Sequence, residues 1–339
     1  MSSTNDSSTV RQPKKPAGSE AMTTQLWKPR PGRPTSATRL SDLIEAQKEV
    51  AERDVWDAGM VRYAGRCFIQ ANLPHSIRSI DQFATFVRQN GKMTLQIKPD
   101  ARFGIPYGSI PRLLLLWIAN EVRTKKEPLI YLGDNLSKFM QQLDIIPTGG
   151  RWGTVTSLRK QMERLFNADI RFRYDDDENA KGKLFAIQEY DLWWRQPSDP
   201  EQSDLWQSTI LLTQPLFEEL LIHSAPVDMR VIKVLRRSPM ELDIYCWLTY
   251  RMLSLKHPLF LSYKDLRIQF GAEYARPQDF KVNIDRALWS VLKQYRNARV
   301  QADVLEKGTY GWKLLPSPPH VPIDPEQRRK WLSSSKTNG

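Results

Sequence analysis

Few residues of this sequence have the types and the spacing that catalysis requires. The four histidines stand far apart, so none forms the His–hydrophobic–His pair of a metal-dependent nicking enzyme. The glycine stretch GGRWGT (149–154) lacks the Gly-Lys-Ser/Thr step of an ATP-binding loop. Cys67 and Cys246 have no CxxC spacing, which disfavours structural zinc and indicates a reducing compartment. We therefore predict a protein that is not an enzyme and has no cofactor and no metal site.

One acidic run offers an alternative to this prediction. The residues DDDE (175–178) carry carboxylates, which suit hard metal ions. They fall in a polar turn between two expected strands, where a charge run is far more commonly solvated. We favour the solvated turn over a cation site.

The overall charge favours a polyanionic partner. The chain has 50 Lys and Arg against 38 Asp and Glu, a formal net charge of +12 and an isoelectric point near 9.6. Such an excess suits nucleic acid or an anionic membrane surface. No apolar run approaches the ~20 residues that span a bilayer, and the N-terminus lacks the apolar stretch of a signal peptide. Nucleic acid and a cytoplasmic location are therefore expected, without a membrane.

Two amphipathic helices present basic side chains in a usable arrangement. Over 154–166 and again over 277–295, apolar residues recur on one face at helical spacing, and polar and basic residues occupy the other. The outward faces offer donors for phosphates and base edges. Ser290 and Trp289 are also expected to face outward, and we favour packing on a neighbouring domain for Trp289 over stacking on nucleic acid. The candidate DNA-binding residues are Arg151, Thr156, Ser157, Lys160 and Arg164 in the first half, and Arg276, Lys281, Asn283, Arg286 and Lys293 in the second.

The elements that position these helices occur twice in the same order. Each half has a helix, a short strand, a second helix, a turn, the basic helix and a two-stranded hairpin. Ser109 and Ser238 are expected to cap the first helix of each half, and their separation gives an architectural repeat of roughly 129 residues. This is the order of a winged helix-turn-helix, in which the helix after the turn lies in the major groove of DNA.

The predicted fold class is α+β, with two tandem winged-helix domains between disordered tails. The predicted boundaries are a disordered basic arm over 1–40, an N-terminal helix and the first winged-helix domain over 41–196, a linker over 197–204, the second winged-helix domain over 205–316, and a disordered tail over 317–339. Within the first domain, Asp134 is expected to cap the helix over 134–144, and residues 183–194 are expected to form one strand.

Several long phrases of the sequence resemble the RepA-type plasmid replication initiators. They include FGIPYGSIPRLLLLWIANEVRTK, LGDNLSKFMQQLDIIPTGGRWGTVTSLRKQMERLF and PVDMRVIKVLRRSPMELDIYCWLTYR. The resemblance covers roughly residues 41–316. It implies binding to repeated double-stranded DNA sites at a plasmid origin, help in opening the duplex, and recruitment of the host initiator and replicative helicase. It also implies a homodimer in equilibrium with the monomer, and a second domain that does more of the base reading.

Two other functions remain open from the residues alone. A winged-helix transcriptional repressor would carry the same basic helices. A winged-helix assembly factor that binds only protein would instead bury its polar helix faces in a partner.

We also expect the acidic run over 175–178 to keep the tip of the first hairpin away from phosphates.

Overall fold

The computed structural model describes residues 37–78, 80–133, 135–175, 180–184, 187–192, 208–271, 274–306 and 308–322. Most of the predicted N-terminal arm, the predicted linker, residues 176–179 and 307 of the two hairpins, and the tail from residue 323 lie outside these ranges. In the described part of the chain, no helix combines the length and apolar character needed to cross a membrane.

Helices and short strands alternate along the chain. The helices are α1 (Ala37–Glu52), α2 (Arg66–Gln70), α3 (Ser109–Lys125), α4 (Leu136–Gln142), α5 (Thr154–Phe166), α6 (Gln214–Ile222), α7 (Met229–Leu235), α8 (Pro239–Met252), α9 (Tyr263–Phe270) and α10 (Pro277–Gln294). The strands are β1 (Val61–Gly65), β2 (Phe86–Asn90), β3 (Met93–Lys98), β4 (Leu129–Tyr131), β5 (Asp169–Asp175), β6 (Ala180–Leu184), β7 (Ile187–Asp191), β8 (Thr209–Leu212), β9 (Ser224–Asp228), β10 (Leu259–Ser262), β11 (Arg299–Glu306) and β12 (Thr309–Leu315).

The strands form small antiparallel sheets, so the fold is mixed α and β. Their strand orders are β2-β3-β5-β6, β4-β8-β7, β10-β12-β11 and the pair β1-β9. Two core clusters lie between the sheets and the helices, one in each half of the molecule.

The second half follows the expected element order closely. Ser238 accepts a hydrogen bond from the Glu241 amide at the start of α8, and Ser262 and Asp265 form a capping box at the start of α9. Helix α9 ends at Gly271. Strand β10 pairs with β12, which pairs with β11, so the first strand of this half joins the terminal hairpin in one sheet.

The first half departs from the expected pairing. Strand β4 pairs with β8 rather than with its own hairpin, and β5 pairs with β3 on one side and β6 on the other. The single strand expected over 183–194 is divided into β6 and β7, which belong to different sheets. Strand β8 and helix α6, expected in the second domain, contribute Ile210, Leu212, Leu216 and Leu220 to the first core.

Three expected helix starts differ from the structure. Helix α1 begins at Ala37, inside the segment 1–40 that was expected to be disordered. Ser109 is not the N-cap of α3: the chain enters through Gly108 at φ 80°, a conformation that favours glycine, and Ser109 is already helical. Helix α4 is capped by Asn135, whose side chain accepts from the Lys138 amide, while Asp134 lies outside the described residues.

The two halves interlock through segments far apart in the chain. Strand β1 pairs with β9 over five residues, from Val61 opposite Asp228 to Gly65 opposite Ser224. Helix α1 packs on α7 and α10, and its Leu43 is buried in the second core. The core of the second half is therefore completed by residues that precede the first.

A buried ion pair joins α3 to α8. The Arg112 guanidinium donates to both carboxylate oxygens of Asp243 at 2.7 Å, and His75 Nε2 lies 2.8 Å from the same carboxylate. Remaining Arg112 donors bind backbone carbonyls, including that of Gly108 at 2.7 Å. The Arg112 charge, together with the His75 hydrogen bond, outweighs burial and lowers the Asp243 pKa.

The segment after β12 is packed as far as it is described, in contrast to the disordered tail expected from residue 317. Val321 is fully buried. His320 Nδ1 lies 2.9 Å from the Tyr245 hydroxyl, and the Tyr295 hydroxyl donates to the Pro318 carbonyl at 2.5 Å. Burial lowers the His320 pKa to about 4, so the ring packs in its neutral form.

Candidate nucleic-acid interface

Helix α5 has the two faces that its periodicity predicts. Leu158, Met162, Leu165 and Phe166 are buried in the first core. On the opposite face, Lys160 is exposed. Thr156 and Ser157, in the first turn, are half-buried, and Arg151 is exposed in the turn before the helix. Four of the five candidates of the first half therefore lie at one end of α5 or on its outer face.

Arg164 differs from the other candidates on α5. Its guanidinium donates to the Gln82 side chain at 3.1 Å and lies 5.0 Å from the centre of the Tyr107 ring. These partners belong to the chain segment before α3, which covers this side of the helix. The structure therefore separates Arg164 from Arg151 and Lys160 and gives it a role in holding α5 on the domain.

Helix α10 is anchored to the hairpin behind it by a buried carboxylate. Asp285 accepts hydrogen bonds from Trp312 Nε1 and the Tyr263 hydroxyl, both at 2.7 Å. Burial raises the Asp285 pKa, and the two donors satisfy both carboxylate oxygens. The contacts connect α10 to β12 and to the first residue of α9, which sets the direction of its outer face.

The outer face of the first half of α10 carries three candidates. Arg276 precedes the helix, is exposed, and pairs with Asp279 at 2.8 Å. Asn283 donates to the Asp279 carbonyl at 2.7 Å and accepts from Arg286 at 3.3 Å. The exposed ion pair between Arg276 and Asp279 contributes little stability in water, so Asp279 holds Arg276 only weakly. Arg286 donates to Asn283, and its guanidinium has no other hydrogen bond among the described residues.

Lys281 is more strongly engaged within the protein. Its ammonium lies 2.5 Å from an Asp303 carboxylate oxygen, and it stands over the rings of Tyr263 and Tyr310. Asp303 has a positive φ of 58° at the bulge in β11. Lys281 therefore ties α10 to the hairpin rather than projecting from it.

The second half of α10 is partly covered. The Lys293 ammonium lies 3.4 Å from the centre of the Trp289 ring, and the Lys293 carbonyl accepts from Gln47 of α1 at 2.8 Å. Burial lowers the Lys293 pKa. Ser290, expected to face outward, is buried. Helix α1 packs on α10 near Lys293, and Ser290 lies against Glu241 of α8.

The sequence reasoning assigned no role to the most exposed apolar side chains near α5. Trp152 is 88% exposed and Ile146 is 73% exposed, on either side of Gly149 and Gly150. Helical periodicity could not find them, because they lie in the turn before the helix. The sequence signal that could have indicated them is an arginine followed by a tryptophan between two glycines, over 150–153. No cluster of three metal-ligating side chains occurs among the described residues. The lack of a metal site stays a prediction from the sequence.

A family match supports a role as a replication initiator. Residues 105–258 match the family described as plasmid encoded RepA protein, which confirms the resemblance seen in the sequence over that range. The match runs from the residues before α3 to those before β10.

One solved structure is also similar to the chain. It is the crystal structure of the RctB domains 2-3, with 12% sequence identity, coverage of 78% of this chain and 99% of that chain, and a TM-score of 0.46. A search of curated proteins gave no match.

Proposed function

We propose that this protein initiates plasmid replication by binding repeated double-stranded DNA sites at the origin through two winged-helix units. The observation that carries the proposal is the arrangement of the second half, with α10 placed before an antiparallel hairpin and its outer face bearing Arg286 and Asn283. The family match over 105–258 supports the initiator role. Opening of the duplex and recruitment of the host initiator and helicase are part of the same proposal.

The second half provides the stronger support for a winged helix. Its order is α8, β10, α9, α10, β11 and β12, and its three strands pair in the order β10-β12-β11. In a helix-turn-helix of this kind the helix after the turn enters the major groove. Helix α10 occupies that position, and the hairpin beside it forms the wing.

The first half supports the proposal through element order rather than sheet pairing. It contains α3, β4, α4, α5, β5 and β6 in the same order, but β4 pairs with β8 in a different sheet from the β5–β6 hairpin. Helix α5 still follows a turn and has its core face buried. We propose that α5 also enters a groove, with Arg151, Thr156, Ser157 and Lys160 as its contacts. The expected weak contact of the first hairpin tip falls on residues outside the described ranges.

A transcriptional repressor is the nearest alternative, because it would use the same helices. A protein-only assembly factor is the alternative from another class. The absence of catalysis, the monomer–dimer equilibrium and the cytoplasmic location remain parts of the proposal that rest on the sequence and the resemblance.

Selection of bound fragments from random duplex DNA tests the proposal. The purified full chain should enrich one sequence, and tandem direct repeats of it should be bound in preference to single copies. A lone palindrome would favour a repressor instead. Failure to enrich any sequence would favour the protein-only function and refute DNA-directed initiation.

A further inference from the structure

The turn before α5 exposes two large apolar side chains. Trp152 is the most exposed of the large apolar residues in the described part of the chain, at 88%, and Ile146 follows at 73%. A side chain as large as tryptophan is usually buried over most of its area. Trp152 and Ile146 are exposed on the same turn, which indicates a contact surface.

The turn is nevertheless held in one conformation. The Thr154 hydroxyl donates to the Ile146 carbonyl at 2.7 Å and accepts from the Thr148 amide at 2.8 Å. The Thr148 hydroxyl accepts in return from the Thr154 amide at 2.9 Å. The Thr156 hydroxyl donates to the Gly150 carbonyl at 2.9 Å. Because the turn is already ordered, a partner that binds it does not have to supply the entropy of ordering it.

The charge around Trp152 suits a polyanion. From residue 145 to residue 162 the sequence contains Arg151, Arg159 and Lys160 and no Asp or Glu. The Arg151 guanidinium lies over one face of the Trp152 ring, 5.4 Å from its centre, so the turn offers a cation together with the opposite aromatic face. Nucleic acid presents the matching pair, a base face next to a phosphate.

We propose that Trp152 contacts the face of a DNA base beside the groove entered by α5, with Arg151 on the adjacent phosphate. The inference rests on the proposed function, since it assumes that α5 approaches DNA. Apolar wedges of this kind unstack a base step and bend the duplex. The base belongs either to a duplex step that the indole unstacks or to a strand that is already unpaired, and the face contacted is the same in both cases.

The test compares full-length variants on the enriched duplex and on each of its single strands. Permanganate reactivity of thymines reports unstacked bases, and affinity is measured in parallel. Trp152→Ala should abolish the protein-induced reactivity and weaken binding about 5- to 150-fold, as expected for one lost base stack. Trp152→Phe should retain most of both effects. Tyr131→Ala, which removes an exposed aromatic ring from β4, is the matched control and should change neither.

The arms of this experiment separate the sources of the base and the possible failures. If Trp152→Ala loses affinity only for the duplex, the contacted base belongs to a duplex step. If it loses affinity only for a single strand, the contacted base is unpaired. If Trp152→Ala leaves reactivity and affinity unchanged while Lys160→Ala weakens binding, the wedge is refuted and DNA binding stands. An altered oligomeric state of Trp152→Ala with unchanged DNA signals would also refute it, in favour of a protein contact. If the wild-type chain enriches no sequence, the proposed function itself has failed.

Discussion

Arg286 and Lys160 both stand on the outer faces of their helices, but their surroundings differ. Arg286 is half-buried and oriented by Asn283, whereas Lys160 is exposed and has no ion-pair partner among the described residues. A guanidinium held in a fixed direction can bind the two acceptors of a guanine edge, and a flexible ammonium suits a phosphate. The two residues should therefore contribute differently to recognition.

We expect Arg286→Ala to cost more specific binding than Lys160→Ala. Loss of Arg286 should cost about 1–3 kcal/mol and relax the preference at one base pair. Loss of Lys160 should weaken all sequences evenly, as removal of a phosphate contact does. Titrations against the enriched site and its single-base variants measure both effects. Lys293→Ala is the control on the same helix, with a smaller loss because its ammonium rests on Trp289. Equal losses with unchanged base preference would contradict this division of roles.

His320 should make the stability of the protein depend on pH. Its pKa is lowered by burial to about 4, against about 6.5 for an unfolded histidine. Below about pH 6.5 the unfolded chain binds a proton that the folded chain excludes, so the free energy of unfolding falls as the pH drops toward 4, by at most about 3 kcal/mol.

Denaturant unfolding at several pH values measures this contribution. His320→Gln should show a shallower decline than the wild type between about pH 6.5 and 4. His257, exposed before β10, supplies the matched control in His257→Gln, which should decline as steeply as the wild type. Identical pH dependence in all three proteins would refute the assignment to His320.

At the scale of elements, the two basic helices were predictable and the strand pairing of the first half was not. The apolar spacing of α5 and α10 is a local property, so the sequence predicts both helices to within a residue. The insertion of β8 beside β4 depends on contacts between residues about 80 positions apart, which no local pattern encodes. The orientation of Arg164 and the covering of Lys293 likewise depend on Gln82 and Gln47, from other parts of the chain.

The turn before α5 gives the sharpest prediction at this scale. A β-carbon at Gly153 would overlap the Thr148 carbonyl oxygen, whereas one at Gly149 would meet no atom within 4 Å. Gly153→Ala should therefore force the turn to shift and cost about 1–3 kcal/mol in unfolding free energy, with a loss of DNA affinity. Gly149→Ala should leave stability and affinity close to wild type. Equal behaviour of the two variants would show that the geometry of the turn is unimportant.

At the scale of the whole molecule, the buried Arg112–Asp243 pair holds the two halves together. Asp243→Asn leaves the Arg112 charge buried without its counter-ion, and we expect a loss of about 3–5 kcal/mol in unfolding free energy. Asp279→Asn breaks the exposed pair with Arg276 and should cost less than about 1 kcal/mol. Thermal or denaturant unfolding distinguishes the two. A small effect of Asp243→Asn would mean that the interface between the halves relaxes or admits water.

The salt dependence of DNA binding should reflect which basic residues are available. Seven of the ten candidate residues are Lys or Arg, but Arg164, Lys281 and Lys293 are engaged within the protein and Arg276 is paired. With Arg151 and Lys160 on phosphates and Arg286 on a base edge, a chain lacking residues 1–36 should show a log–log slope of about −2, at about −0.9 per phosphate contact. A slope near zero would remove the electrostatic part of the proposal, and a steeper slope for the full chain would assign phosphate contacts to the N-terminal arm.

The interlocking of α1 with α10 has a consequence for biosynthesis. The Gln294 side chain donates to the Leu43 carbonyl across 251 positions of sequence, so α1 is buried by a helix that is synthesised much later. At about 5–20 residues per second, α1 waits roughly 13 to 50 s for its partner. During that time the apolar side of α1 is accessible to chaperones. A fragment that starts at residue 205 lacks α1 altogether. The nascent chain should therefore stay sensitive to protease at α1 until α10 has been synthesised, which pulse-labelled translation followed by limited proteolysis can measure.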